Sequence, residues 1–247
     1  MTMDLAIFHQ CYNERQATEF AISEFKKYNP DYKYYLVSDG GEDYADIASK
    51  YGAEWNHECN TTMNGLTGRV VLKIVDRLIK YFTISNAKYL MLMEDDIWCR
   101  GHINFDFEFD AIGANSTGNL YPENIVYYVN QKYNIDISNK FYNLCGGSII
   151  NRNIFFDNYE NIKKFLIEDQ DLLIQIGTTN YCNLNYVYGS LDSTLNMLYL
   201  ISGKDSIINP EITETWRDKD WRTNNKKIVH WYKTNYKNGT QYTRYYL

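Results

Sequence analysis

The sequence has few of the features that mark secreted, membrane-spanning or nucleic-acid-binding proteins. It contains only three prolines and four histidines in 247 residues, and no apolar run approaches the roughly 20 residues of a membrane span. The N-terminal apolar run is too short for a signal peptide. Five scattered cysteines without CxxC spacing predict free thiols in a reducing, cytoplasmic compartment. A net charge of −6 argues against general binding to nucleic acid or anionic membranes.

The first half of the chain alternates short apolar strands with amphipathic helices. Strands are predicted at Leu5–Phe8, Tyr34–Val37, Ala53–Asn56 and Tyr89–Met93, and helices at Glu14–Tyr28, Tyr44–Tyr51 and Val71–Phe82. This βαβαβαβ order predicts an α/β fold, in which helices flank both faces of a mixed, mostly parallel sheet.

The second half is less regular. Its pattern predicts strands at Ile125–Val129 and Gly147–Ile150 and helices at Asn153–Ile167 and Ser190–Ser202, followed by a basic, aromatic tail from Trp216 to Arg244. No internal repeat or linker is evident, and the chain mass is 29.2 kDa. We therefore expect one domain over residues 1–247.

Three carboxylates, Glu94, Asp95 and Asp96, directly follow the predicted strand at Tyr89–Met93. Ligands of open α/β sheets bind beyond the carboxyl ends of the strands, and adjacent like charges are unfavourable there without a cation. Oxygen ligands suit Mg²⁺ or Mn²⁺, so the pattern favours a divalent metal holding a phosphorylated substrate. The alternative is a solvated acidic turn.

The order of four motifs resembles a known family. The motifs are Tyr12-Asn13-Glu14 after the first strand, Asp39 after the second, Arg69 at the start of a long helix, and Glu94-Asp95-Asp96. Together they resemble the GT-A nucleotide-sugar glycosyltransferases, most closely the inverting branch with a DxD-type acidic motif. The resemblance implies a Rossmann-like GT-A fold, with residues 1–100 binding nucleotide and residues 101–247 binding the acceptor.

The resemblance also implies roles in donor binding. Tyr12 would stack on the nucleobase, Gln10 would reach the base edge or ribose, and Asp39 would accept a hydrogen bond from uracil N3–H. Arg69 would lie beside the base or diphosphate. Each of these features has a structural alternative, since Tyr12 also suits a packed aromatic position and Ser38-Asp39-Gly40-Gly41 is an ordinary turn sequence.

Further roles implied by the family concern the metal and the diphosphate. Asp95 would face the ribose or metal, Asp96 would coordinate the metal, and Glu94 occupies the more variable position of the motif. His230 resembles a C-terminal histidine ligand, and Lys233 would neutralise diphosphate. The alternative for His230, which lies in an apolar strand-like run, is a buried core residue.

Asp192 lies at the start of a predicted helix, where inverting families place their general base. It would take the proton from the acceptor hydroxyl. The alternative is an ordinary helix-stabilising aspartate in the first turn.

The sequence thus predicts a glycosyltransferase that depends on Mn²⁺ or Mg²⁺. It would move a sugar from a nucleotide donor, with a UDP-sugar favoured, to a glycan or other hydroxyl acceptor with inversion. A retaining enzyme of the same fold and a non-catalytic nucleotide-sugar-binding module stay open. A sugar-phosphate nucleotidyltransferase is disfavoured, because that class needs a Gly-rich phosphate loop after the first strand, where this chain has no glycine.

Overall fold

A computed structural model describes residues 3–59, 68–114, 120–121, 123–140, 143–169, 191–214, 225–231, 234–237 and 240–243. The backbone alone is described at 68–69, 191–194, 213–214, 234–237 and 240–243.

Twelve strands occur in these ranges. They are β1 (Leu5–Cys11), β2 (Lys33–Asp39), β3 (Glu54–Glu58), β4 (Tyr89–Glu94), β5 (Ile97–Cys99), β6 (Ala111–Ala114), β7 (Ile149–Asn151), β8 (Ser206–Asn209), β9 (Ile212–Glu214), β10 (Ile228–His230), β11 (Thr234–Lys237) and β12 (Thr240–Thr243). Seven of them form one sheet in the order β3-β2-β1-β4-β7-β6-β8, and β5, β10 and β9 form a second, smaller sheet.

The helices are α1 (Arg15–Tyr28), α2 (Ala45–Tyr51), α3 (Gly68–Ser85), α4 (Glu123–Tyr133), α5 (Asn153–Glu168) and α6 (Leu191–Ile201). They cover both faces of the large sheet because its strands are apolar on both sides. Successive side chains of β1 alternate between two cores: Ala6 and Phe8 pack with α3 to α6, whereas Leu5 and Ile7 pack with α1 and α2.

The predicted fold class is confirmed. β1, β2, β3 and β4 run parallel, and β7 is antiparallel to both β4 and β6, so the sheet is mixed and mostly parallel. The assignment of residues 1–247 to one domain stays a prediction.

One predicted strand is wrong. Ile125–Val129 lies within helix α4, where Ile125 and Val129 are buried one turn apart and Tyr127 between them is exposed. This burial follows the helical period of 3.6 residues rather than the alternation of a strand. The strand was predicted from a run rich in β-branched residues, whereas the spacing of the buried positions is that of a helix.

Two findings bear on the expected cellular environment. Cys11, Cys59, Cys99 and Cys145 are free thiols, and the cytoplasmic location stays a prediction. Within the ranges given above, none of the helices has the length and apolar character needed to cross a membrane.

Candidate metal and nucleotide site

Three neighbouring parallel strands carry the predicted donor-binding residues to one edge of the large sheet. Gln10 in β1 lies opposite Glu94 at the end of β4, and Asp39 is the last residue of β2. Both β1 and β2 continue beyond their predicted ends at Phe8 and Val37. Gln10 and Asp39 are therefore held by the sheet rather than by loops, which fixes their positions more firmly.

A cluster of possible metal ligands forms where β4 meets the small sheet. One ligand atom from each of Glu94, Asp96 and His230 lies within 4.8 Å of the other two, and His230 Nε2 is 3.4 Å from Asp96 Oδ1. Strand β10 pairs antiparallel with β5, which places His230 opposite Ile97. The Trp231 amide also donates to the Asp96 carbonyl oxygen at 3.1 Å. Backbone pairing therefore brings His230 to the acidic turn.

The donor set of this cluster fits a divalent cation. Two carboxylates and one imidazole suit Mn²⁺ or Mg²⁺, and donors around one such ion are about 3–4 Å apart at metal–oxygen bonds of about 2.1 Å. Asp96 and His230 are buried, and burying carboxylates is costly unless a positive charge lies near them. The fold therefore brings the three predicted metal residues together.

Asp95, in the middle of the acidic turn, is buried. Burial is the main cause that raises the pKa of Tyr44, in the loop after β2, and Cys11, Glu42 and Asp95 add to it electrostatically. Asp95 directly follows Glu94, which lies opposite Gln10 of β1, whereas Asp96 Oδ1 lies 3.4 Å from His230 Nε2. This division suits the predicted roles, with Asp96 on the metal and Asp95 nearer the nucleoside.

Asp39 forms a buried ion pair that the sequence analysis did not anticipate. Arg77 Nη1 donates to Asp39 Oδ1 at 2.9 Å, and the two side chains are 4% and 1% exposed. Arg77 also donates to Gln10 Oε1 at 3.3 Å and to the Cys59 carbonyl oxygen at 3.0 Å. One guanidinium therefore connects the ends of β1, β2 and β3.

The cation that contacts Asp39 is Arg77, a residue that the sequence analysis did not single out. Arg69 does lie in the first turn of α3, but its side chain is outside the described residues. A sequence signal existed, because Arg77 borders the apolar stripe formed by Ile74 and Leu78, where a solvated charge is less expected.

The Tyr12 backbone is held tightly against the turn after β2. Its carbonyl oxygen accepts hydrogen bonds from the Glu42 amide at 2.8 Å and from Tyr44 Oη at 3.0 Å. The Tyr12 side chain is half-buried. The loop that carries Tyr12 is thus bonded to the loop that follows Asp39 at the end of β2.

Helix α6 packs close to the same edge of the sheet. The Asn196 side chain accepts hydrogen bonds from the amides of Asn143 and Leu144 and donates to the Leu144 carbonyl oxygen. Leu195 lines a pocket of about 40 Å³ together with Gln10, Glu94, Cys145, Gly146 and others. The helix that carries Asp192 is therefore anchored beside the acidic motif.

Besides Arg69, two predicted site residues are not located at the side-chain level. Asp192 lies in the first turn of α6, and its side chain is outside the described residues; Lys233 is outside them altogether. The roles of both residues stay predictions.

Comparisons with known proteins give a remote structural likeness. No family model and no curated sequence matches the chain. Two crystal structures of the glycosyltransferase GlyE from Streptococcus pneumoniae TIGR4, one of them the apo form, are similar at 15% identity, with TM-scores of 0.47 and 0.44. They match 93% and 84% of this chain but only 54% and 45% of the GlyE chains. The chain thus spans about half the length of these structures.

The edge of the sheet therefore combines two chemically different features. The cluster of Glu94, Asp96 and His230 can hold a divalent cation, and the buried ion pair of Asp39 with Arg77 places a carboxylate beside a guanidinium. Such an edge can bind a ligand that has a polar planar group at one end and negative charge at the other.

Proposed function

We propose that this protein is a metal-dependent GT-A glycosyltransferase that moves a sugar from a nucleoside diphosphate donor to a hydroxyl acceptor with inversion. The observation that carries the proposal is the convergence of Glu94, Asp96 and His230 at the carboxyl edge of the sheet. This is the edge at which open α/β sheets bind nucleotides. Mn²⁺ or Mg²⁺ bound there would neutralise the departing diphosphate.

The ion pair at the end of β2 favours uracil, thymine or guanine nucleotides over those of cytosine or adenine. A carboxylate accepts a hydrogen bond from an imide N–H, and a neighbouring guanidinium donates to a keto oxygen. Asp39 beside Arg77 therefore complements the keto–imide edge of uracil, thymine or guanine. Cytosine and adenine present the opposite pattern along this edge, a donor amine beside an acceptor nitrogen. Tyr12 would stack on the base from the adjoining loop.

In the transfer step, Asp192 and Lys233 have separate roles. Asp192 takes the proton from the acceptor hydroxyl as its oxygen attacks the anomeric carbon. The bond from that carbon to the diphosphate oxygen breaks on the opposite face, so the configuration inverts. Lys233 offsets the negative charge of the departing diphosphate. A retaining enzyme would give the other product anomer, which NMR of the product distinguishes.

Calorimetric titration with UDP and CDP, each with Mn²⁺ and with EDTA, tests the donor class. We expect metal-dependent binding of UDP and at least about 5-fold weaker binding of CDP, since a mismatched hydrogen-bonding edge costs about 1–3 kcal/mol. Equal binding of both nucleotides would contradict the assignment of Asp39 and Arg77 to the base.

A matched pair of variants tests the metal site. Asp96→Asn should abolish the Mn²⁺ dependence of UDP binding, whereas Asp106→Asn, which changes an exposed carboxylate elsewhere, should leave it intact. If UDP binding were the same in Mn²⁺ and in EDTA for the unmodified protein, the metal-dependent proposal would be wrong. A nucleotide-sugar-binding module without turnover would pass these tests but would not transfer or hydrolyse the donor sugar.

A further inference from the structure

The Tyr12 carbonyl oxygen joins the loop after β1 to the loop after β2. Tyr12 belongs to the loop between β1 and α1, whereas Glu42 and Tyr44 belong to the loop between β2 and α2. The hydrogen bonds from Tyr44 Oη at 3.0 Å and from the Glu42 amide at 2.8 Å join at this single oxygen. The loop that begins at Asp39 thus holds the backbone of the loop that carries the Tyr12 ring.

Gly41 permits this close contact. A Cβ atom at Gly41 would lie 1.9 Å from the Tyr12 carbonyl oxygen and 2.8 Å from Asn13 Oδ1. The nearest of these atoms belongs to the backbone, so it could not move away without displacing the loop. The Gly41 amide also donates to Ser38 Oγ at 3.1 Å, which fixes the turn from within.

Tyr44 is held rigidly enough to act as a fixed donor. It is 0% exposed, and its ring makes an edge contact with Trp55 at a centroid distance of 5.9 Å. The guanidinium of Arg15 lies 5.9 Å from the centre of the same ring. Because burial raises the pKa of Tyr44, its hydroxyl keeps its proton at neutral pH and remains a hydrogen-bond donor.

We propose that Tyr44 is a positioning residue for nucleobase recognition, acting through the backbone of Tyr12. Its hydroxyl sets the distance between the Tyr12 ring and the ion pair of Asp39 with Arg77 before the nucleotide arrives. Without that bond, part of the binding free energy is spent on ordering the Tyr12 loop. This inference rests on the proposed function, because it assumes that a base stacks on Tyr12.

The experiment compares Tyr44→Phe with Tyr32→Phe by calorimetry, using UDP and inorganic pyrophosphate, each with Mn²⁺. Tyr32 is a matched control, because its buried hydroxyl donates to the Ile103 carbonyl oxygen at 2.6 Å and it precedes β2 at the opposite edge of the sheet. We expect Tyr44→Phe to weaken UDP binding by about 3- to 10-fold and to leave pyrophosphate binding unchanged. Tyr32→Phe should change neither affinity.

Pyrophosphate is the readout that separates positioning from general damage. It lacks a base, so a variant that binds it normally has an intact metal site. The inference would be overturned if Tyr44→Phe weakened the binding of UDP and of pyrophosphate equally. It would also be overturned if the variant bound UDP as tightly as the unmodified protein does. An unmodified protein that bound pyrophosphate but not UDP would overturn the nucleotide-sugar proposal itself.

A double variant tests the route through Tyr12. If Tyr44 acts by placing the Tyr12 ring, then Tyr44→Phe should cause no further loss of UDP affinity once Tyr12→Ala has removed that ring. Additive losses in the double variant would show that Tyr44 acts independently of Tyr12, contrary to the inference.

Discussion

Replacing Arg77 with methionine tests the buried ion pair at the centre of the site. The variant keeps much of the side-chain length but leaves the Asp39 carboxylate buried without its cation. Removing one partner of a buried pair costs about 3–5 kcal/mol, and the side-chain exposures of 4% and 1% place this pair in that range rather than among surface pairs. We therefore expect Arg77→Met to lower the free energy of unfolding by about 3–5 kcal/mol.

Urea unfolding followed by circular dichroism measures this loss. With a slope of about 3 kcal/mol per molar urea, the midpoint should fall by roughly 1–1.7 M. Lys140→Met provides the control, because Lys140 pairs with Asp205 at the surface with side-chain exposures of 40% and 51%. Such exposed pairs contribute about 0–1 kcal/mol, so the control midpoint should shift little.

A second replacement identifies the cause of the loss. Arg77→Met leaves the buried Asp39 carboxylate without the charge of Arg77. Adding Asp39→Asn removes that buried negative charge, so the double variant should regain part of the lost stability. If the double variant were no more stable than Arg77→Met alone, the cost would lie in packing. A loss below about 1 kcal/mol in Arg77→Met would refute the reasoning outright, because it would match a solvated pair.

Three further predictions concern the base, a glycine turn and the thiols. Asp192→Asn should abolish sugar transfer while UDP still binds with Mn²⁺, and equal loss of both would contradict its role as base. Gly147→Ala should lower the melting temperature more than Gly203→Ala does. Both glycines have positive φ, but only a Cβ atom at Gly147 would clash, since it would lie 2.7 Å from a side chain. Equal shifts in melting temperature would contradict this prediction. Iodoacetamide at pH 8 should label exposed Cys59 before buried Cys99, because burial raises the pKa of Cys99 to about 12. Mass spectrometry of the digested protein gives the order of labelling, and labelling of Cys99 first would contradict this prediction.

The regular first half of the fold was predictable because its signals are local. The strand at Tyr89–Met93 is an apolar run, and α3 repeats its buried positions at helical spacing, so neither depends on distant parts of the chain. The helix over Ile125–Val129 was missed because its β-branched residues outweighed the spacing of its buried positions. The sheet edge at which Gln10, Asp39 and Glu94 meet follows from strand order alone.

The contacts within the site were harder to predict because they join distant segments. Arg77 was overlooked, since a charged residue in a helix is usually solvated and only the fold shows that Asp39 faces it. The proximity of His230 to Asp96 depends on the pairing of β10 with β5, which no local pattern encodes. The bond from Tyr44 to Tyr12 likewise joins two loops that are adjacent only in the folded sheet.

The pairing of β10 with β5 has a consequence for biosynthesis. A ribosome releases Glu94 and Asp96 long before His230, so strands β1, β2 and β4 can form while the candidate metal cluster is still incomplete. On the proposed function, tight cation binding would then wait for the later segment to join the small sheet. A chain interrupted before β10 would keep the Asp39–Arg77 pair but lack the imidazole, and ribosome-stalled chains of increasing length would gain metal affinity only after that strand emerges.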